Sequence, residues 1–411
     1  MSANVFANGH PASLAVAPRD PRYLSLDLWR GVACLLVVIV HSSSALAPLI
    51  DHPVYGWPAY LVRHFWIGVP MFFVVSGYCI AATCDSSRRR AAPVRYYFAR
   101  RLRRIYPPYW ALLLLGVVFN GLAFGSGWMD TFAIPPLEDP RTLSTEQWLG
   151  NLTLTESVRF HFSSEPYRMF MGHAWTLAYE EQFYVVCGIL LLVCPRRFFV
   201  GVAAVTVLTC FVAPLTFKKI GLYTFGFFFD GRWFVFAAGV TVYYALNYAS
   251  PRGIRVIATS LFAAFIAAGV FFRWLLERQA GGTMGPDEVQ LGLEFVVGAS
   301  FALVLLLTHR WDRSIATARA GQPISWCGRM CYSVYLVHLP LTNLSNSYVE
   351  YLGAGGFWGT VLIAIPAGIL ISVAAGWVFF HIVEKRFLNA ASPQLRREHV
   401  EPRPSCPVAT V

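Results

Sequence analysis

Charge is what this chain has least of. Only 13% of its 411 residues are Asp, Glu, Lys or Arg, where a soluble domain carries about 25%. That shortage excludes the ionic shell of a water-soluble globule. Metal-type cysteine spacing is missing too. The nine cysteines (positions 34, 79, 84, 187, 194, 210, 327, 331 and 406) form no CxxC pair and no ligand spacing with histidines. Cys327 and Cys331, one helical turn apart, are expected to pack rather than to bind a metal. No fixed-period repeat and no low-complexity tract is found. The first 22 residues lack the basic start, apolar stretch and small-residue cleavage site of a signal peptide.

What the chain does have is apolar and aromatic surface, at 56% and 16% of its residues. A long chain of this composition is an integral membrane protein. A bilayer-spanning helix needs roughly 20 mostly apolar residues. Ten such runs lie near 27–48, 62–83, 104–125, 176–194, 198–216, 228–247, 254–276, 289–308, 329–349 and 357–380. The net charge of +11 sits in short clusters between these runs. That is a topology signal rather than a nucleic-acid surface.

With the N-terminus inside, segment 84–104 holds eight arginines (Arg88, Arg89, Arg90, Arg95, Arg100, Arg101, Arg103, Arg104) on the inner face. The pairs Arg196–Arg197, Arg252 and Arg255, and Lys385–Arg386 fall on the same face, and the outer segments carry fewer cations. The expected fold is therefore an all-α integral membrane protein, a bundle of about ten transmembrane helices with both termini cytoplasmic. Residues 1–22 and 389–411 are expected as cytoplasmic tails and 23–388 as the transmembrane domain. An outer loop over 126–174 is too long for an idle link.

Five segments could carry chemistry. In SLDLWRGVACLLVVIVHSS (25–43) Arg30 and His41 are eleven residues apart. At about 100° per residue they share one helix face, about 16 Å apart along the axis. An arginine that snorkels to the headgroups would explain the first, and a packing histidine the second. Ionisable groups facing a bundle interior are otherwise functional. Ser76-Gly77 interrupts the second run, where small residues also permit close helix packing. Arg101 and Arg104, one turn apart, either orient the chain or fork onto phosphate oxygens. Glu180 and Glu181 open the apolar stretch HAWTLAYEEQFYVV (173–186), as dipole-stabilising groups or as the lining of a polar pocket. Tyr335 and His338 lie one turn apart in MCYSVYLVHLPL (330–341), where a core histidine is the plainer reading.

Taken in order, these segments resemble the acyltransferase 3 family of multi-pass membrane O-acyltransferases. The resemblance covers roughly 25–385. It rests on Arg30 with His41, on Gly68 to Gly77, and on Arg101, Arg104, Tyr106 and Pro107. It continues through Trp175 to Tyr184 and ends on Ser333, Tyr335 and His338. Two departures stand out. Pro70 occupies a position where many members are acidic, and Glu384-Lys385-Arg386 lacks the family's proline, so Glu384 is given no catalytic role.

The resemblance implies transfer of an acyl group, commonly acetyl, from cytosolic acyl-CoA to a hydroxyl. The acceptor is a carbohydrate, a lipid-linked sugar or a small molecule. No metal and no nucleic acid is implied, and a bacterial inner (plasma) membrane is expected. His41 is the expected general base and Arg30 the donor-side residue. Arg101 and Arg104 would hold CoA phosphates, and Glu180 or Glu181 would orient His41 or bind the acceptor. Ser76, Trp175, Tyr184, Ser333, Tyr335 and His338 would line the pocket. The rival reading is a proton-coupled transporter or exporter of a small polar solute, since intramembrane Arg and His suit a proton path. The inverted repeats with broken helices common among transporters do not stand out.

Overall fold

The structure is a computed structural model that describes residues 23–125, 138–217, 225–281 and 286–388. The expected tails at 1–22 and 389–411, and the first part of the 126–174 loop, lie outside the described residues. Every element among the described residues is helical. Ten long helices among the described residues carry the architecture. They are α1 (Leu26–His41), α2 (Gly68–Arg89), α3 (Val94–Gly125), α4 (Trp175–Val193) and α5 (Phe198–Phe217), followed by α6 (Arg232–Tyr248), α7 (Pro251–Ala280), α8 (Pro286–Thr308), α9 (Cys331–Tyr351) and α10 (Ile365–Ile382).

Among the described residues seven helical stretches, those holding α2, α3, α4, α5, α7, α8 and α10, are long and apolar enough to cross a bilayer. The chain is an integral membrane protein. The other three positions hold helices that fall short of that measure. α1 has 16 residues and α6 has 17. α9 is long enough at 21 residues but carries Thr342, Asn343, Ser345, Asn346, Ser347 and Glu350. Two of these three, α1 and α9, hold Arg30, His41 and His338.

The arginine-rich segment is not the loop that its charge predicts. α2 runs on to Arg89, α3 begins at Val94, and only residues 90–93 join them. Ala91 turns the chain with φ +48°, and Pro93 stands immediately before the first residue of α3, where its missing N–H costs nothing. Asp85 is buried and receives Arg88 and Arg89 together with the hydroxyls of Tyr243 (2.8 Å) and Tyr248 (2.5 Å) from α6. Two arginines of the cluster are therefore engaged in fastening α2 to α6.

Backbone contact fixes two helix crossings. A methyl group on Gly77 would sit 2.0 Å from the Phe236 carbonyl oxygen, and one on Gly239 1.9 Å from that of Val74. α2 and α6 thus touch main chain to main chain, as small residues allow in lipid. The second crossing joins α1 to the short helix Gln322–Arg329 that leads into α9. There Gly31 meets Ile324 O at 2.0 Å and Gly328 meets Asp27 O at 1.7 Å by the same measure. α1 stops at His41 because the hydroxyls of Ser42 and Ser43 bond back to the carbonyls of Val38 and Val40, both at 2.8 Å. Such side chains compete with the helical ladder.

The described part of the connection between α3 and α4 does not stand clear of the bundle. It contains a helix, Thr145–Leu152, begun by a capping box between Ser144 and Gln147. Its far end meets α3 well below that helix's terminus: Tyr109 donates to Asn151 O (2.8 Å) and Trp110 Nε1 to Leu152 O (2.9 Å), and the Tyr106 hydroxyl lies 3.0 Å from Thr153 O. Tyr109 lies 16 residues before the end of α3, about 24 Å at 1.5 Å per residue. The connection therefore folds back along α3. Irregular backbone is tolerated at such depth only against protein or a water-filled cavity, and Asn151 shows how. It is fully buried, with its amide bonded to Gln147 O, Arg168 O and Phe170 N.

Candidate active site

Five helices, α1, α2, α3, α4 and α9, line a partly open cavity of about 120 Å³. Arg30 reaches it from α1, Ser76 from α2, Arg101 and Arg104 from α3, Glu180 and Tyr184 from α4, and Tyr335 from α9. Seven of the twelve residues singled out by sequence thus meet in one space. Its remaining wall is mostly apolar, including Val37, Val69, Phe72, Phe73 and Leu177. The volume is well under the ~300 Å³ or more that encloses a drug-sized ligand.

The arginines keep hydrogen-bonding capacity in reserve. Arg30 donates to Asp27 Oδ1 and to Cys79 Sγ, both at 2.9 Å, and its side chain keeps 23% of its exposure. Arg101 donates to Thr83 Oγ1 at 2.6 Å and stacks over the Tyr184 ring. A guanidinium has five N–H donors, so both have more to offer an anionic or carbonyl ligand. Glu180 accepts from the Tyr184 hydroxyl at 2.9 Å.

At one end the cavity closes on Tyr335, whose hydroxyl meets Thr176 Oγ1 at 2.7 Å and donates to the His173 carbonyl. Beyond it stand three histidines. The rings of His41 and His338 are 5.2 Å apart between centroids, and those of His338 and His173 5.3 Å. His41, at the end of α1, is partly exposed, and the other two are buried. Among the described residues no His, Cys, Asp or Glu cluster could hold a metal ion.

The other singled-out residues lie elsewhere. Glu181 turns from the cavity to accept from Tyr106 at 2.6 Å, as neighbours 100° apart on a helix must diverge. Ser333 gives its N–H and hydroxyl to Glu384 (3.1 and 2.5 Å), tying the start of α9 to the end of α10. Trp175 faces a second polar centre, stacked against the guanidinium of Arg232 at 5.1 Å.

Sequence reading missed that second centre. Arg232, 1% exposed, bonds Asp230 Oδ2 (2.8 Å), Tyr179 (2.9 Å) and Glu294 Oε1 (3.0 Å). The signal was available, because Arg232 and Glu294 interrupt apolar runs as Arg30 does. His173 was missed too, although it stands two residues before Trp175 in the same motif segment.

A family profile described as an acyltransferase domain matches residues 23–380. A candidate membrane-bound transacylase of Komagataeibacter xylinus, BcsY, is 25% identical over 85% of this chain and 81% of its own length. The peptidoglycan O-acetyltransferase OatA of Listeria monocytogenes is 20% identical over 89% of this chain, and the O-acetyltransferase OatA of Staphylococcus aureus 24% over 80%. The chain spans only 56% and 52% of those two relatives. No solved structure matches. With 23–380 covered end to end by that profile, the chain belongs to the acyltransferase 3 family.

Proposed function

We propose that this protein is a membrane O-acyltransferase that moves a short acyl group, acetyl in the first instance, from acyl-CoA to a hydroxyl of a carbohydrate or other acceptor. The observation that carries this reading is the cavity with Arg30, Arg101 and Arg104 on its wall and the histidine cluster at its Tyr335 end. The name of the Listeria relative, a peptidoglycan O-acetyltransferase, supports a carbohydrate hydroxyl as the acceptor.

In this reading about ten helices cross a bacterial inner membrane, with both termini and the arginine segment on the cytoplasmic side. The acyl end of the donor enters the cavity while its phosphates stay at the arginine-rich mouth, where Arg100 and Arg103 are exposed. Arg101 and Arg104 then face the CoA phosphates, and Arg30 directs its spare N–H groups at the pantetheine arm that leads to the thioester. The acceptor reaches His41 along the infolded connection between α3 and α4. His41 takes the hydroxyl proton as the oxygen attacks the thioester carbonyl carbon.

The test is turnover of radiolabelled acetyl-CoA by purified protein in detergent, followed as thiol release and acetyl ester formation, beside a His41→Ala variant that inserts normally. Turnover that falls at least ~100-fold in the variant supports the assignment. Wild-type rates in the variant remove His41 as base. Absence of turnover, with gradient-driven flux of a solute into proteoliposomes, would replace the enzyme by the transporter.

A further inference from the structure

Hydrogen-bond accounting divides the three histidines into three kinds. A neutral imidazole carries one N–H donor and one lone pair. His338 lies 2.5 Å through Nδ1 from the Tyr335 carbonyl, so its N–H is committed there, and its buried Nε2 is a lone pair without a partner. That nitrogen can only accept. His41, 5.2 Å from His338 between ring centroids, is the partly exposed member of the group.

His173 is the odd member. It is 6% exposed, and neither of its ring nitrogens makes a hydrogen bond. The Leu336 carbonyl lies near the ring but outside hydrogen-bonding geometry. Leaving a buried donor unmet costs about 1–3 kcal/mol, and simple packing needs no imidazole. The ring stands edge-on to Tyr335 at 5.1 Å and to His338 at 5.3 Å, at the end of the cavity where a carbonyl passing Tyr335 would arrive. Its backbone is fixed by the bond from Tyr335 to its carbonyl.

We propose that His173 is a catalytic residue whose free N–H receives the thioester carbonyl oxygen as negative charge develops on it. This rests on the acyl-transfer reading above. The acceptor oxygen bonds to the carbonyl carbon while its proton goes to His41, and the C=O electron pair moves onto the oxygen facing His173. Collapse re-forms C=O and breaks the C–S bond, and the sulfur leaves with the proton held by His41. Thioester and alcohol thus become ester and thiol. The unmet donor of His173 is then the preorganised kind that stabilises an oxyanion without reorganisation.

The experiment uses the full chain in detergent, acetyl-CoA as donor and water or a sugar hydroxyl as acceptor. It compares His173→Phe and His173→Leu, which lack the N–H, with His173→Asn, which keeps one. The expected result is a ~10²- to 10³-fold loss of kcat in the first two, with donor KM unchanged. His173→Asn should recover at least tenfold of that loss and keep the wild-type pH profile, because His41 remains the base. Equal rates in all three variants, or a raised KM at constant kcat, would overturn the assignment and leave acyl transfer standing. Wild-type protein that turns over no acetyl-CoA would bring down the parent reading and this one together.

Discussion

Arg232 and Arg30 are both held among apolar helices, yet their surroundings differ in kind. Arg232 is closed on every side: two carboxylates and a tyrosine hydroxyl take its N–H groups, and the rings of Trp175, Tyr179 and Phe225 cover its faces. Arg30 has one carboxylate, from the 40% exposed Asp27, and a thiol. Its remaining donors face the cavity. A buried charge paired with two carboxylates and shut in by rings holds helices together, since removing one partner strands the others. One with donors to spare is positioned for something that comes and goes.

The largest expected effect breaks the first of these sites. Arg232→Met leaves Asp230 and Glu294 buried and uncompensated, at a cost of about 3–5 kcal/mol. It should appear as loss of folded protein after detergent extraction. Next comes Gly77→Val, which drives a side chain into the Phe236 carbonyl. A penalty of about 1–3 kcal/mol from overpacking should lower the thermal midpoint measurably. Arg30→Met should do the reverse of Arg232→Met: the midpoint stays within a few degrees while acetyl-CoA turnover falls ~100-fold or more. A melting point that collapses in Arg30→Met would erase the distinction between the two sites. The smallest effect is Asp27→Asn, which removes a half-exposed i,i+3 partner worth at most ~0.5 kcal/mol. Stability should hardly change, and turnover measured at low and high salt should show whether Asp27 aims the guanidinium.

Much of the cavity was legible because helical phase is local. Eleven residues put Arg30 and His41 on one face whatever surrounds them, and α1 bears that spacing out. Which neighbour a face meets is not local. Nothing in the run Trp175–Tyr184 says that Trp175 stacks on Arg232 while Glu180, five residues later, points into the cavity. The pair Glu180–Glu181 reads as one feature in sequence and separates in space, because a single step along the helix turns it out of the site. Charge density predicted a loop over 84–104, where i,i+3 and i,i+4 pairing of Asp85 with Arg88 and Arg89 sustains a helix instead. The apolar runs at 27–48 and 228–247 overstate their helices, since α1 ends at His41 and α6 starts only at Arg232.

The two glycine crossings have a mechanical consequence. They clamp α2 to α6, and α1 to the helix that leads into α9; a methyl on Gly68 of α2 would sit 2.3 Å from the Ala33 carbonyl oxygen of α1, so these helices belong to one stiff frame. The cavity walls α3 and α4 are stitched to that frame by hydrogen bonds: Arg101 to Thr83, Tyr332 to the Ile105 carbonyl, and Tyr335 to Thr176 and the His173 carbonyl. Bonds of this type trade readily for bonds to a ligand, whereas interlocked backbones cannot slip. The enclosure has a rigid hull and a single polar seam. A ligand lying between the five helices can exchange bonds with that seam, and its departure restores them.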